Sequence, residues 1–330
     1  MKEITFLNQN ADKWQQFESL ISTKGNSDPD LMAELFIQIT DDLSYSKTNY
    51  PKSKTTKYLN SIAARVHQEI YKNKKEKSGR IISFWKYELP SIFKNSHKQL
   101  LYSFLIFVIS MLIGIVSAAN DDTFVRLILG DSYVNMTLEN IDKGDPMAVY
   151  KSMNEIDMFF GITLNNIRVA FVCFALGLLF SFGTGAMLFY NGIMLGAFQY
   201  FFYIKGLLFP SILVIWIHGT LEISAIIIAG CAGLVMGNSI LFPETYSRGV
   251  SFIKGAKQGV KIIIGLIPVF IVAGFLESFI TRYSQMPMWL SVSIIACSLS
   301  FIIWYFIIYP IQLNKRNGSW QLIGNWGREN

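Results

Sequence analysis

From Val169 to Ile204 the chain runs 36 residues without one Asp, Glu, Lys or Arg. As one helix that stretch would be about 54 Å long at about 1.5 Å per residue. The hydrocarbon core of a bilayer is only about 30 Å thick. The stretch therefore reads as two crossings with a tight turn between them, and Asn191-Gly192 is the expected turn because both residues tolerate turn conformations. That places spans at Arg168 to Phe189 and Ile193 to Phe209. Other stretches nearly free of charge give Leu100 to Ala118, Ser211 to Met236 (interrupted by Glu222), Ile262 to Ile280 (with Glu277 near its end) and Pro287 to Tyr309. The expected fold class is all-α, a polytopic membrane protein with about six transmembrane helices. Composition agrees: 52% of residues are apolar and 16% charged, where soluble domains carry about 25% charge.

Lys and Arg flanking the spans set the expected orientation. Lys72, Lys74, Lys75, Lys77, Arg80, Lys86, Lys94 and Lys98 precede the first span. Arg248, Lys254, Lys257 and Lys261 come after the fourth, and Lys315 and Arg316 after the sixth. The segment from Ala119 to Ile167 is acidic and belongs outside. Lys205 and Arg282 run against this bias. Both termini are expected in the cytoplasm, with the protein in the cytoplasmic membrane. The first 30 residues lack an apolar signal-peptide core, so the first span is expected to direct insertion. The net charge of +6 is explained by this distribution, and no nucleic-acid module is present. Cys173, Cys231 and Cys297 all lie in apolar runs, which speaks against a disulfide framework or a thiolate zinc site.

The chain divides into four regions. Residues 1–78 read as a cytoplasmic helical domain. Asp28-Pro29 opens a helix with Leu31, Leu35, Ile39 and Leu43 at helical period, Tyr50-Pro51 ends it, and a second helix carries Leu59, Ile62, Ala63, Val66 and Ile70, so the two would pair as a hairpin. Residues 79–98 read as an amphipathic interfacial helix, broken at Pro90, with Ile81, Ile82, Phe84, Trp85, Leu89, Ile92 and Phe93 against Lys86, Lys94 and Lys98. Residues 99–314 form the transmembrane domain. Its outer loop, 119–167, is too long to lack structure: Phe124, Leu127 and Ile128 mark one short helix, and Ile156, Phe159, Phe160, Ile162 and Leu164 another leading into the second span. Residues 315–330 are a cytoplasmic tail.

Ionisable and polar groups inside a membrane are costly and mark candidate sites. His218 and Glu222, at i,i+4, share a helix face. Glu277 lies near the outer end of its span, and Asn165, Asn166 and Arg168 at the outer start of another. These six are expected to converge on one polar pocket, either a hydrogen-bonded network that fixes packing or a binding site. No catalytic residue stands out. With three His in the chain, two of them (His67 and His97) in the cytoplasmic part, the usual two-His zinc motif cannot form here, and neither a metal nor another cofactor is expected. Gly192 with Gly196 and Gly233 with Gly237 read GxxxG, which allows close helix contact. Packing within the chain is the expected use and a homodimer interface the alternative. Gly183-Thr184-Gly185 marks a kink or an unwound turn.

Asp41-Asp42-Leu43, Tyr50-Pro51, Tyr58-Leu59-Asn60, His67 and Ile70-Tyr71 resemble the N-terminal helices of the stage II sporulation protein M family. Asn165-Asn166-Ile167-Arg168-Val169-Ala170 and Asn191-Gly192 with Gly196 look like its next signatures. The most specific match is His218-Gly219 followed by Glu222, Ala225, Ala229-Gly230 and Gly233-Leu234, and Pro243, Arg248 and Ala273-Gly274 with Glu277 complete it. The resemblance implies a multi-pass membrane protein. In spore formers its namesake is associated with engulfment, where a membrane complex localises peptidoglycan-degrading enzymes. No enzymatic reaction comes with these motifs. The expected function is an integral membrane scaffold that organises envelope partners, including peptidoglycan-remodelling enzymes. The alternative is a carrier or channel for a small molecule, ion or lipid built on the pocket around Glu222. An intramembrane enzyme using Glu222 and His218 is the third reading. Expected partners are the bilayer and other envelope membrane proteins.

Overall fold

The structure is a computed structural model and describes residues 1–22, 29–72, 79–151, 154–282 and 286–313. The basic run at 74–77 and the tail with Lys315 and Arg316 lie outside the described residues, as do the side chains of Leu31, Leu35, Val66, His67 and Ile70. The described residues are helical and contain no strand. They fall into two compact units, Met1–Arg80 and Ile81–Asn330.

The first unit holds α1 (Glu3–Ser22), α2 (Pro29–Asn49) and α3 (Lys54–Lys72). The expected α2–α3 pair forms, with Pro29 opening α2 in a position where its missing N–H costs nothing. A third helix completes the core: α1 adds Phe6, Trp14 and Phe17 to Ile39, Leu43, Leu59, Ile62 and Ala63. Across the surface Arg65 pairs with Glu18 at 2.5 Å and the Tyr58 hydroxyl donates to Glu18 at 3.0 Å. The Arg65 bond, more than the Tyr58 bond, holds the Glu18 carboxyl below its usual range.

The second unit begins within α4 (Arg80–Ser83), followed by a π-helical turn at Phe84–Glu88 and α5 (Leu89–Asn95). Pro90 does not break this segment. It sits in the first turn of α5, where proline is tolerated, and the change of direction comes at Ser96 (φ −112°, ψ 15°). Leu89, Ile92 and Phe93 are buried in the bundle core, and Leu89 lies where a side chain at Gly265 would stand.

Then come α6 (His97–Asn120), α7 (Phe124–Leu129), α8 (Asp131–Asp142), α9 (Glu155–Ala175), α10 (Phe182–Ile204), α11 (Leu208–Leu241), α12 (Arg248–Phe275) and α13 (Met288–Ile303). Six helices are long and apolar enough to cross a membrane: His97–Asn120, Glu155–Leu178, Phe182–Ile204, Leu208–Leu241, Arg248–Ile280 and Met288–Leu313. Their outward faces are apolar. Leu101, Phe104, Ile109 and Val116 on α6 and Trp289, Val292 and Leu299 on α13 are exposed, a surface that lipid satisfies and water would not. The protein is a multi-pass membrane protein.

One expected boundary is wrong. Asn191-Gly192 is not a turn. Both residues are buried within α10, and the Asn191 amide donates to the Met187 carbonyl at 2.8 Å. The break between the second and third spans lies at Leu179–Ser181, where Phe180 and Ser181 take positive φ (53° and 67°). The second span accordingly starts at Glu155, and the segment read as a separate outer helix is its first three turns.

Both GxxxG pairs are used inside the chain. A Cβ at Gly192 or Gly196 would run into the backbone of α6, at the Phe107 and Met111 carbonyls. Gly233 and Gly237 receive the α9–α10 break: a Cβ at Gly233 would strike the Thr184 hydroxyl, and one at Gly237 the Ser181 hydroxyl and backbone. These close approaches let α11 touch α6, α9, α10, α12 and α13, so the helix bearing His218 and Glu222 is surrounded by the other spans. Cys173, Cys231 and Cys297 are free, the first two buried and the third exposed.

Candidate functional site

The site is assembled from one turn each of α9, α11 and α12. His218 and Glu222 lie about 15 and 21 Å along α11 from Leu208, at about 1.5 Å per residue, and face the same side. On α12 Ala273 and Gly274 are buried, and Gly274 has no side chain where Thr163 of α9 approaches. Asn166 of α9 and Glu277, in the turn that follows α12, stand on either side of that crossing, and both come close to Glu222 of α11. The helix widens into a π turn at Leu276–Ile280, closed by the Thr281 N–H to the Leu276 carbonyl at 2.9 Å. Such turns re-aim side chains at functional positions.

Asn166 Nδ2 donates to Glu222 Oε1 at 2.5 Å. His218 Nδ1 and Thr281 Oγ1 are 3.0 Å apart, and the Thr281 hydroxyl donates to the Leu276 carbonyl at 3.1 Å. With the hydroxyl proton spent on Leu276, Thr281 accepts from His218 Nδ1–H, an assignment that rests on the hydrogen-bond network. His218 Nε2 then turns its lone pair toward Glu277 Oε1, 3.9 Å away. One donor atom from each of His218, Glu222 and Glu277 lies within 4.8 Å of the other two. His218 is 4% exposed. Two carboxylates this close, in a site taken from water, require a shared proton or a cation between them.

Four of the six residues expected here therefore meet: His218, Glu222, Glu277 and Asn166. Asn165 and Arg168 do not, and both are exposed. The reason is angular. Successive helix residues are about 100° apart, so with Asn166 facing the cluster its neighbour Asn165 points away, and Arg168, two positions on, points to the far side. Thr281 was not expected. It carries no charge, and its only mark in the sequence is its place one turn after Glu277. Near the loop end of these helices Arg282 pairs with Glu155 at 2.8 Å, tying the end of the fifth span to the start of the second.

This arrangement separates two roles of Glu222. Glu222→Leu removes the acceptor of Asn166 Nδ2 and is expected to lower stability by about 1–3 kcal/mol, read as a lower thermal midpoint in nanodiscs. Glu222→Gln keeps a carbonyl oxygen of the same reach and is expected to stay close to wild type in fold.

A family model described as Stage II sporulation protein M matches residues 103–282, from the first span through the end of the fifth, and so contains the whole cluster. A second model, for a domain of unknown function designated DUF8413, matches residues 4–72, the three helices of the first unit. No curated protein and no solved structure matches the chain.

Proposed function

The chain belongs to the stage II sporulation protein M family, and on that premise we propose that it is an integral membrane scaffold organising partner proteins of the cell envelope. The observation that carries this reading is the segment between the first two spans. It is a built platform: Val125 of α7, Val134 of α8 and Met147 are buried against Ala197, Phe201 and Phe202 of α10 and Ala118 of α6. Gly130, at φ 84°, makes the corner between α7 and α8. Leu127 is left 77% exposed, on a segment that also carries Asp121, Asp122, Asp131, Glu139, Asp142 and Asp145. A segment packed against the bundle in this way can hold a partner in one orientation, which a flexible tether cannot. The positive-inside bias puts this platform outside and both termini in the cytoplasm. Envelope enzymes that remodel peptidoglycan are the partner class we assign to it.

A photo-crosslinking side chain at Leu127 or Met136 tests this in cells. Discrete adducts with envelope proteins are expected from these positions and not from lipid-facing Ile109. Adducts absent at both, or the same at all three, would remove the scaffold reading.

The buried cluster favours a second reading, a carrier or channel for an ion or small solute. Under it Glu222→Gln abolishes flux in proteoliposomes while the protein stays folded. Unchanged flux in that variant would sink it.

A further inference from the structure

The packing of α9, α11 and α12 brings an imidazole and two carboxylates to one buried point, whether the protein is a scaffold or a carrier. We propose that His218, Glu222 and Glu277 bind one first-row divalent metal ion, with Asn166 and Thr281 as positioning residues.

The donor set selects the class of ion. One imidazole nitrogen and two carboxylates suit Zn²⁺, Fe²⁺ or Mn²⁺; a soft monovalent ion would want sulfur. The usual zinc motif counts histidines, and His218 is the one histidine in this cluster. Two glutamates from different helices supply what a second and third histidine would.

The charges also balance. Asn166, 2.5 Å from Glu222, and Thr281, 3.0 Å from His218, add no charge to the cluster. Two carboxylates and one divalent ion sum to zero, the sum a low-dielectric interior favours.

The ligands are held in a binding orientation. A metal-bound histidine ordinarily donates its other ring N–H to an oxygen, which fixes the tautomer. Thr281 does this for Nδ1 of His218, and Leu276 in turn holds Thr281. Asn166 engages Oε1 of Glu222 and leaves Oε2 to an ion. At bonds of about 2.1 Å, tetrahedral donors stand about 3.4 Å apart. The His218–Glu277 separation is 3.9 Å and all three donors lie within 4.8 Å, so side-chain rotations alone close the site.

Two more hydroxyls are buried on the same turns of α9 and of the segment after α12. Among the described residues the hydroxyls of Thr163 (6% exposed) and Ser278 (0%) find no hydrogen-bond partner. Thr163 is one turn before Asn166, and Ser278, next to Glu277, stands about 100° round the helix from it. Thr281 also lines a cavity of about 210 Å³ with Pro210, Leu213, Ile217, Met288 and Ser291.

The test uses the full chain in nanodiscs, stripped with a chelator, dialysed against Zn²⁺ and analysed for bound metal. About one ion per chain is expected. Glu222→Gln and Glu277→Gln should each lose it, Asn166→Ala should weaken it by about 10–100-fold, and Glu139→Gln on exposed α8 should match wild type. Loading wild type with Co²⁺ reads ligation without any variant: visible absorption bands of a low-coordinate nitrogen–oxygen site are expected. Wild-type protein that takes up less than a tenth of an ion per chain, which is the outcome if the two carboxyls share a proton, overturns the proposal. So does wild-type loading in the Glu222→Gln, Glu277→Gln double variant.

Discussion

Gly196→Leu is expected to leave no folded protein in the membrane fraction, while Gly161→Leu, at a site of the same residue type, accumulates normally. The contrast rests on what each position faces. A Cβ at Gly196 would collide with the Met111 carbonyl oxygen and stand 2.9 Å from the Ile115 nitrogen and 3.1 Å from the Gly114 Cα. These are backbone atoms of α6 and have no rotamer to change. The helices must separate, and the same seam contains Gly192 and Gly114, which then lose their contacts as well. Overpacking of a core costs about 1–3 kcal/mol where side chains can adjust, and more where they cannot. Even Gly196→Ala should lower the thermal midpoint. Gly161, on the exposed face of α9, has nothing within 4 Å of its would-be Cβ. There Gly161→Ala should stabilise, by about 0.5–1 kcal/mol, because glycine is a poor helix residue. Size-exclusion profiles and thermal midpoints of the four variants in detergent decide it. Equal behaviour at the two positions would mean that the α6–α10 seam does not hold the bundle.

The spans were legible because lipid leaves a chain little choice: backbone polar groups must be satisfied within the segment, so long apolar helices are required. Where one span ends was much less legible. Asn191-Gly192 carries a strong turn signal in water-exposed chains, but inside a bundle the same small residues serve close packing. The real break lies at Phe180 and Ser181, two residues before the Gly183-Thr184-Gly185 mark, with Ser181 set against Gly237 of α11. The cluster was legible where charge marked it, at Glu222, Glu277 and His218. Asn165, Asn166 and Arg168 looked equivalent on composition, and helical geometry admits one of the three. Thr281 could not be found by charge. The first unit was read as a hairpin because α2 and α3 carry clear aliphatic periodicity. The contribution of α1 is mainly aromatic and widely spaced, at Phe6, Trp14 and Phe17.

Trp14→Ala is expected to unfold the first unit and leave the membrane bundle intact. The Trp14 ring is 3% exposed and packs edge-on against Phe6, with centroids 5.5 Å apart, and against Tyr58 at 6.2 Å. Its indole N–H donates to Asp42 of α2 at 2.8 Å, and Lys13, the residue before it, pairs with the same carboxylate at 2.5 Å. One side chain thus joins α1 to both other helices. Truncating a buried aromatic to alanine costs about 3–5 kcal/mol, and a small domain has about 5–15 kcal/mol in all. The bundle core is a separate set of residues, from Leu89 to Phe306, and should not register the change. Limited proteolysis of the variant in nanodiscs should therefore digest the chain up to the region of Arg80 and spare the membrane bundle. Trp14→Phe, which keeps a ring and gives up the indole donor, should fall between. If the bundle is cut as fast as the first unit, the two cores are one cooperative system. If only the first unit is lost, Trp14→Ala becomes a clean tool for the scaffold reading. Adducts formed at Leu127 should persist, because they rest on α7, α8 and α10, while any partner held by the first unit should no longer co-purify.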